Sequence, residues 1–467
     1  MATTENKNLS PNSLHVVMFP WLAFGHMIPF LELSKFIAQK GHKITFVSTP
    51  KNIARLPKLP PNLTSSINFL SLSLPKVDGL PGDVEATVDL GSHDVSLLKK
   101  AFDGLKPELT SFLENSLPEW IVYDFSHYWL PPAADKLGIG KVFFSILSAS
   151  SLVFFGAFGK PDPRTKLEDF TVPPPWVPFE TKVAFKLHES KWMLSCHHED
   201  GSGVSDIQRS GSSASGSDLI LVRQCNELEG KWIKLLEEIN HKPVLPVGLL
   251  PPRMEENAVD YENPSWFPIK EWLDGQESGS VLYVAFGSEV AMSQPELTEL
   301  ALGLELSEVP FFWAIRKSTE TIELPEGFEE RVKGRGIVWR SWAPQLSILR
   351  HDSVGGFLSH CGWSSVIEGL MFGHPIIMLP FVIDTGLVAR VLGEKMVGIE
   401  IPRDEMDGSY TRESVAESVK LVMVKNEGKI YREKSKEIGE IFGNREIQDG
   451  YIDGLVEYLE NNGSCQI

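Results

Sequence analysis

The sequence predicts an α/β protein built from two parallel-sheet domains, and three observations lead there. At 467 residues the chain is too long for one ordinary core and implies two domains of roughly 200 or more residues each. Short β-rich runs alternate with helical patterns through both halves, which implies parallel sheets with helices on both faces. Two polar stretches break the alternation. One of them, LPPRMEENAVDYENPS at 250–265, has the proline and acidic content of an interdomain linker. The expected division is therefore an N-terminal domain over 1–249, a linker over 250–265, a C-terminal domain over 266–445, and a closing segment over 446–467.

The strands follow in order. In the first half Leu14–Phe19, Lys43–Ser48, Ile67–Leu72, Trp120–Asp124, Val142–Ile146 and Leu219–Val222 are short, apolar and β-rich, with helical patterns such as Met27–Gln39 between them. In the second half Val281–Phe286, Phe311–Ile315, Ile337–Trp342, Val354–Leu358 and Ile376–Leu379 play the same part, and Gly450–Leu459 reads as a last helix. The second polar break, EDGSGVSDIQRSGSSASGS at 199–217, reads as a mobile loop because Gly and Ser dominate it.

Composition narrows the function classes. Apolar content of 42% and charged content of 23% are those of a soluble globular chain. A net charge of −18 disfavours nucleic acid or an anionic membrane as partner, so any anionic ligand must be met by local groups. No run approaches the ~20 apolar residues that span a bilayer. The start MATTENKNLSPNS lacks a signal-peptide core, and Cys196, Cys225, Cys361 and Cys465 are scattered, so a cytoplasmic protein is expected; a monomer is also expected, though no sequence feature fixes it. The sequons at Asn8, Asn62 and Asn462 then carry no glycan.

The stretch Trp342–Thr385, WAPQLSILRHDSVGGFLSHCGWSSVIEGLMFGHPIIMLPFVIDT, holds most of the chemistry. Trp342, followed by Ala343 and Pro344, offers a flat indole suited to stacking on a base ring. The strand Val354–Leu358 leads through the turn His360-Cys361-Gly362-Trp363 into a helix beginning at Ser364 or Ser365. A strand feeding a helix through a glycine-containing turn makes an anion site, because backbone N–H groups and the helix dipole point at the ligand. Ser365-x-x-Glu368 matches a capping box. Asp384 follows the carboxyl end of the next strand, where open α/β sheets place ligand-contacting groups.

On the acceptor side, His26 follows the first strand and Asp124 ends another, so the two can meet on one sheet edge. A carboxylate on one imidazole nitrogen fixes the tautomer and stabilises the imidazolium formed on proton transfer. His127 lies in the same segment and reads as a pocket or structural residue. Cys196-His197-His198 reads as a solvated surface cluster rather than a metal site. The first strand is followed by PWLAFGH, without a G-x-G-x-x-G phosphate turn, so a dinucleotide cofactor is not expected.

The run from Trp342 to Thr385 resembles throughout the signature box of plant UDP-sugar-dependent glycosyltransferases of family 1, and the resemblance covers nearly the whole chain. It implies the GT-B fold, two facing Rossmann-like domains whose last helix crosses back onto the first. It also implies that Trp342 stacks on uracil and that Gln345 and Glu368 hold the ribose. His360, Gly362, Ser364 and Ser365 then meet the phosphates, and Trp363 and Asp384 face the sugar. Gly287-Ser288 resembles the family's second-domain motif that approaches the phosphates. PWLAFGH and YDFSHYW match the family's positions for its catalytic His26 and Asp124, and Phe24, Tyr128 and Trp129 fall where it lines the acceptor pocket.

Two departures matter. Ser364 stands where the family usually has Asn, and a hydroxyl still donates there. Thr385 stands where glucose-using members have Gln and galactose-using ones tend to have His. Threonine is shorter than glutamine and lacks its paired donor and acceptor, so a 6-deoxy sugar such as rhamnose competes with glucose as donor. Trp363, where glucuronosyl-using members carry Arg, argues against an acidic sugar.

PWLAFGHMIPF and GFEERVKGRG resemble the branch that extends sugars on already glycosylated flavonoids, terpenoids or steroids. The expected activity is thus an inverting, metal-independent transfer of glucose or rhamnose from a UDP-sugar, a co-substrate rather than a cofactor, to a lipophilic glycoside. No Asp-x-Asp motif of the metal-dependent transferases is present. The other readings are transfer directly to an aglycone, a UDP-sugar epimerase, and a non-catalytic UDP-sugar binder.

Overall fold

The computed structural model describes residues 13–90, 94–251, 265–287, 290–315 and 323–463. Most of the expected linker at 250–265, and Ser288, lie outside the described residues. The chain forms two compact units, one of Met1–Pro163, Ser195–Leu250 and Arg445–Ile467, the other of Arg164–Leu194 and Pro251–Asn444.

The first unit is built on seven strands: β1 (His15–Phe19), β2 (Lys43–Ser48), β3 (Ile67–Ser71), β4 (Trp120–Tyr123), β5 (Gly140–Ser145), β6 (Leu219–Val222) and β7 (Val244–Pro246). They lie in the order β3-β2-β1-β4-β5-β6-β7, every pairing parallel. The central strands are apolar on both faces because helices cover both, so Val16, Val17, Met18 and Phe19 of β1 are all fully buried. One face packs the helix Phe24–Gln39 through Met27, Phe30, Leu31 and Ile37. The closing helix Arg445–Asn462 joins the same core through Ile452, Leu455 and Leu459, and the carbonyl of Leu459 accepts the Trp120 indole N–H at 3.2 Å.

The second unit repeats the plan with β8 (Val281–Ala285), β9 (Phe311–Ala314), β10 (Gly336–Trp339), β11 (Val354–Ser359), β12 (Ile376–Met378) and β13 (Gly398–Glu400). Their order is β10-β9-β8-β11-β12-β13, again all parallel. In both sheets the chain turns back on itself beside the first strand, between β1 and β4 and between β8 and β11. In open α/β sheets that switch point opens a crevice at the carboxyl ends of the strands.

Three expectations need correction. Strands β7 and β13 go unforeseen, since Val244–Pro246 and Gly398–Glu400 are too short to show a period. Residues 199–217 are not simply a loop: Ser205 caps a helix over Asp206–Ser215. Buried Arg209 in that helix makes paired bonds of 2.8 and 2.7 Å to the carboxylate of Asp103. A tertiary ion pair thus outweighs the poor helix propensity of a Ser/Gly-rich run. Residues 164–194, expected in the first domain, group with the second unit. Polar contacts hold them there, among them Thr181 Oγ1 to Glu394 at 2.8 Å, Lys186 Nζ to Glu400 at 2.5 Å and Arg390 to Glu189 at 2.8 Å.

Candidate active site

In the first unit the chain leaves β1 through Pro20–Ala23 and enters the helix Phe24–Gln39 with Ala23 as N-cap. The helix starts three residues before its expected start at Met27, so His26 belongs to its first turn and not to a loop ahead of it. There the backbone N–H of His26 bonds the carbonyl of Ala23 at 2.9 Å, which fixes the root of the imidazole. Phe19 of β1 pairs with Tyr123 of β4, which puts the residues just beyond both strands on one edge of the sheet.

His26 Nδ1 lies 2.5 Å from Asp124 Oδ2. The same carboxylate accepts the backbone N–H of Trp21 at 3.2 Å and of Phe125 at 2.7 Å. Asp124 is 2% exposed. Burial alone would push its carboxyl up, but the charge and hydrogen bond of His26, with His127 and the Phe125 N–H, outweigh it and hold it below the ordinary value. With Nδ1 donating to this carboxylate, the Nε2 position holds the lone pair, the arrangement of a general base. The Phe125 ring, 5.7 Å from the imidazole centroid, is a neighbour that the sequence reading missed. Its place next to Asp124 just past a strand end was the available signal.

His127 is structural. It is fully buried, its Nδ1 engages the backbone N–H and carbonyl of Asp124 at 3.2 and 3.0 Å, and its ring packs edge-on against Phe19 and Phe102. Burial pulls its pKa down to about 4, so the ring is neutral. Of the expected acceptor residues, Trp129 is buried as the residue preceding the helix Leu130–Leu137. Tyr128 is half-buried with the Arg209 guanidinium over its ring, and Phe24 is half-buried beneath that of Arg55.

In the second unit the expected residues follow the carboxyl ends of β8, β10, β11 and β12. His360 follows β11 and is largely buried, and burial draws its pKa down to about 4. Its ring lies between two glycines. A Cβ on Gly287, after β8, would come within 2.9 Å of Cε1, and one on Gly362 within 2.5 Å of Nε2. Gly287 also has φ +70°, so glycine is required there twice over. Cys361 adopts φ +68°, turning the chain tightly into the helix Trp363–Met371.

That helix begins at Trp363 with Gly362, which has no side chain to cap it, as N-cap, so Ser365 lies inside the helix rather than at its start. Ser365 and Glu368 therefore do not form the expected capping box. Instead Gln345 Nε2 donates to Glu368 Oε2 at 2.5 Å and to Ser365 Oγ at 3.3 Å. The buried Tyr283 of β8 donates to Gln345 Oε1 at 3.2 Å, a supporting contact with no sequence signal, since it reads as a core aromatic. Ser364 is half-buried. Ala343 is half-buried and Trp342 is 60% exposed, its carbonyl accepting the Trp339 indole N–H at 3.1 Å. Most of the Trp342 indole is thus open to solvent.

Beyond β12 the chain turns at Ile383, where a branched residue adopts φ +53°, and Asp384 becomes the N-cap of the helix Thr385–Glu394. The Thr385 hydroxyl donates to the carbonyl of Val382 at 2.6 Å and accepts its N–H at 3.2 Å. It closes the turn, a role a glutamine amide at this position could not copy with the same short reach.

The sequence profile of the UDP-glucoronosyl and UDP-glucosyl transferase family matches residues 259–449. Over 471 residues the chain is 52% identical to UDP-glycosyltransferase 91A1 of Arabidopsis thaliana, spanning 99% of this chain and 100% of that protein. The chain belongs to the plant family 1 UDP-glycosyltransferases. Soyasaponin III rhamnosyltransferase of Glycine max is 44% identical over 97% of both chains. The crystal structure of Arabidopsis thaliana UGT89C1 complexed with UDP-L-rhamnose superposes with a TM-score of 0.73 at 25% identity, covering 96% of this glycosyltransferase and 99% of that chain. The fold of this UDP-glycosyltransferase is accordingly GT-B. Among its described residues no helix is long and apolar enough to cross a membrane, and no group of three or more His, Cys, Asp or Glu side chains could hold a metal ion.

Proposed function

We propose that this UDP-glycosyltransferase transfers rhamnose from UDP-rhamnose to a hydroxyl on the sugar of a plant glycoside, with inversion and without a metal. The single observation that carries the chemistry is the 2.5 Å contact between His26 Nδ1 and a buried Asp124 carboxylate at the switch point of the first sheet. The acceptor hydroxyl gives its proton to His26 Nε2 while Asp124 stabilises the imidazolium. The acceptor oxygen bonds to the anomeric carbon as the bond from that carbon to the phosphate oxygen breaks, and UDP leaves with the electron pair.

Donor binding follows the second unit. Trp342 covers the uracil, Gln345 and Glu368 take the ribose hydroxyls, and Gly287, His360, Gly362, Ser364 and Ser365 surround the phosphates. A neutral imidazole and backbone N–H groups at a helix start are preorganised donors for the charge that develops on the leaving phosphate. Trp363 and Asp384 face the sugar. Rhamnose is favoured over glucose because the Thr385 hydroxyl is committed to its own turn and presents no long amide to a sugar hydroxyl. Two of the proteins similar to this chain point the same way, one named for rhamnosyl transfer and one solved with UDP-L-rhamnose.

The first unit then receives the acceptor near Phe24, Tyr128 and Trp129. The test is a competition: purified protein, a panel of plant glycosides and aglycones, and equal UDP-glucose and UDP-rhamnose, with products resolved by mass. A deoxyhexose added to a glycoside is the expected product. Addition of a hexose overturns the donor assignment, and products from aglycones alone overturn the acceptor assignment.

A further inference from the structure

Asp384 and Thr385 stand at the start of the helix Thr385–Glu394, and a segment from much earlier in the chain fixes that helix. Arg390 donates Nη1 to the carbonyl of Gly386 at 2.6 Å and Nη2 to Glu189 Oε2 at 2.8 Å, a partner 201 positions away. The same Glu189 oxygen accepts the backbone N–H of Lys186 at 2.7 Å. The pair is mostly buried, with side-chain exposures of 9% for Arg390 and 11% for Glu189. Farther along, Glu394 Oε1 accepts the Lys182 N–H at 2.5 Å and the Thr181 hydroxyl at 2.8 Å. Residues 181–189 therefore grip the helix at both ends.

Gly386 makes the grip close. A Cβ there would lie 2.6 Å from Glu189 Oε1, so the carboxylate rests on the first turn, at the helix end whose dipole favours a negative charge. The turn just before it is strained, with branched Ile383 in the left-handed region, and strain of that kind persists only where the surroundings impose it.

We propose that Glu189 is a positioning residue for the sugar donor: through Arg390 and Gly386 it fixes the helix start that presents Asp384. The inference rests on the reading that Asp384 faces the sugar. Nothing in the chain's local sequence marks Glu189, which follows a histidine in an unremarkable helical stretch.

The test uses the full chain and three variants, Glu189→Gln, Gly386→Ala and Asp384→Asn, measured for donor KM, kcat, inhibition by UDP, and melting temperature. Glu189→Gln keeps the shape and removes the charge. Gly386→Ala keeps both charges and pushes the carboxylate away. Each is expected to raise donor KM about tenfold while the UDP inhibition constant stays within twofold, because UDP is held by groups outside this grip. Loss of activity only in proportion to folded protein, with donor KM unchanged in both, overturns the proposal. If Glu189→Gln does not fold, Gly386→Ala and Arg390→Lys decide by the same criterion. Asp384→Asn separates the two ideas: if it changes neither KM nor kcat, the sugar-facing reading fails and takes the proposal with it. If it alone shifts the kinetics, only the role of Glu189 fails.

Discussion

Replacing Asp124 by asparagine removes one charge and almost no volume, and the structure sets what that must cost. The carboxylate takes three donors: the imidazole Nδ1 at 2.5 Å, the Phe125 N–H at 2.7 Å and the Trp21 N–H at 3.2 Å. An asparagine carbonyl can serve the side of the first or that of the second, and its amide N–H₂ must then face a donor. If the amide faces His26, the ring flips its proton to Nε2 and the base is lost. If it faces Phe125, a buried N–H goes unpaired at a cost of about 1–3 kcal/mol. The imidazolium formed in the transition state also loses its counter-charge, worth roughly 4 kcal/mol for unit charges ~4 Å apart at an effective dielectric of ~20. The unpaired N–H lowers stability in every state, whereas the lost counter-charge acts on the transition state, and at about 1.4 kcal/mol per decade it predicts that kcat falls by roughly 10³-fold. The assay is steady-state transfer with donor and acceptor varied separately, UDP affinity measured by calorimetry, and a thermal melt to confirm folding. A folded variant that keeps kcat within threefold, or that loses only donor affinity, refutes the orienting role.

His26→Ala is expected to bind UDP as the parent does while transfer drops by at least about 10³-fold, the scale of a lost general base; calorimetry and product counting check the two halves. Glu368→Ala leaves the Gln345 amide without its 2.5 Å partner and should weaken UDP binding about tenfold with little change in melting temperature; unchanged UDP affinity would remove Glu368 from the ribose site. Stability should fall with acid before the carboxylates titrate. His127 and His360 are both pulled down to about 4 by burial, against 6.5 in the unfolded chain. Their contribution is therefore complete above pH ~6.5 and is lost as pH falls towards ~4, by about 3 kcal/mol for each ring. Urea melts at pH 7 and pH 5 should show about 2 kcal/mol of that loss for each ring, and saturating UDP should not abolish the part due to His127.

The class of fold was legible in the chain because its evidence is local. Apolar runs such as Lys43–Ser48 and Leu219–Val222 are strands with the bounds the sequence suggests, since a strand buried on both faces needs an unbroken β-rich run. His26 and Asp124 could be singled out because each follows a strand, and in a parallel sheet all such residues end on one edge. Local signals misled where a contact from afar decided the outcome. Ser and Gly at 199–217 spell a loop, yet Arg209 reaching Asp103 makes a helix of its second half. Ser365-x-x-Glu368 spells a cap, yet Gln345 takes the glutamate and the helix starts earlier, at Trp363.

What the sequence determined by itself, then, is the alternation of strands and helices, the glycine-containing turn at His360–Trp363 between a strand and a helix, and the residue types available for transfer chemistry. Those depend on neighbours within a few positions. The tertiary structure alone decided that Thr385 turns its hydroxyl back on Val382, that Tyr283 supports Gln345, and that residues 164–194 belong with the second unit, where Glu189 meets Arg390. A hydrogen bond or ion pair acts over about 3 Å of space whatever the separation along the chain, and nothing in one sequence records which distant partner will arrive.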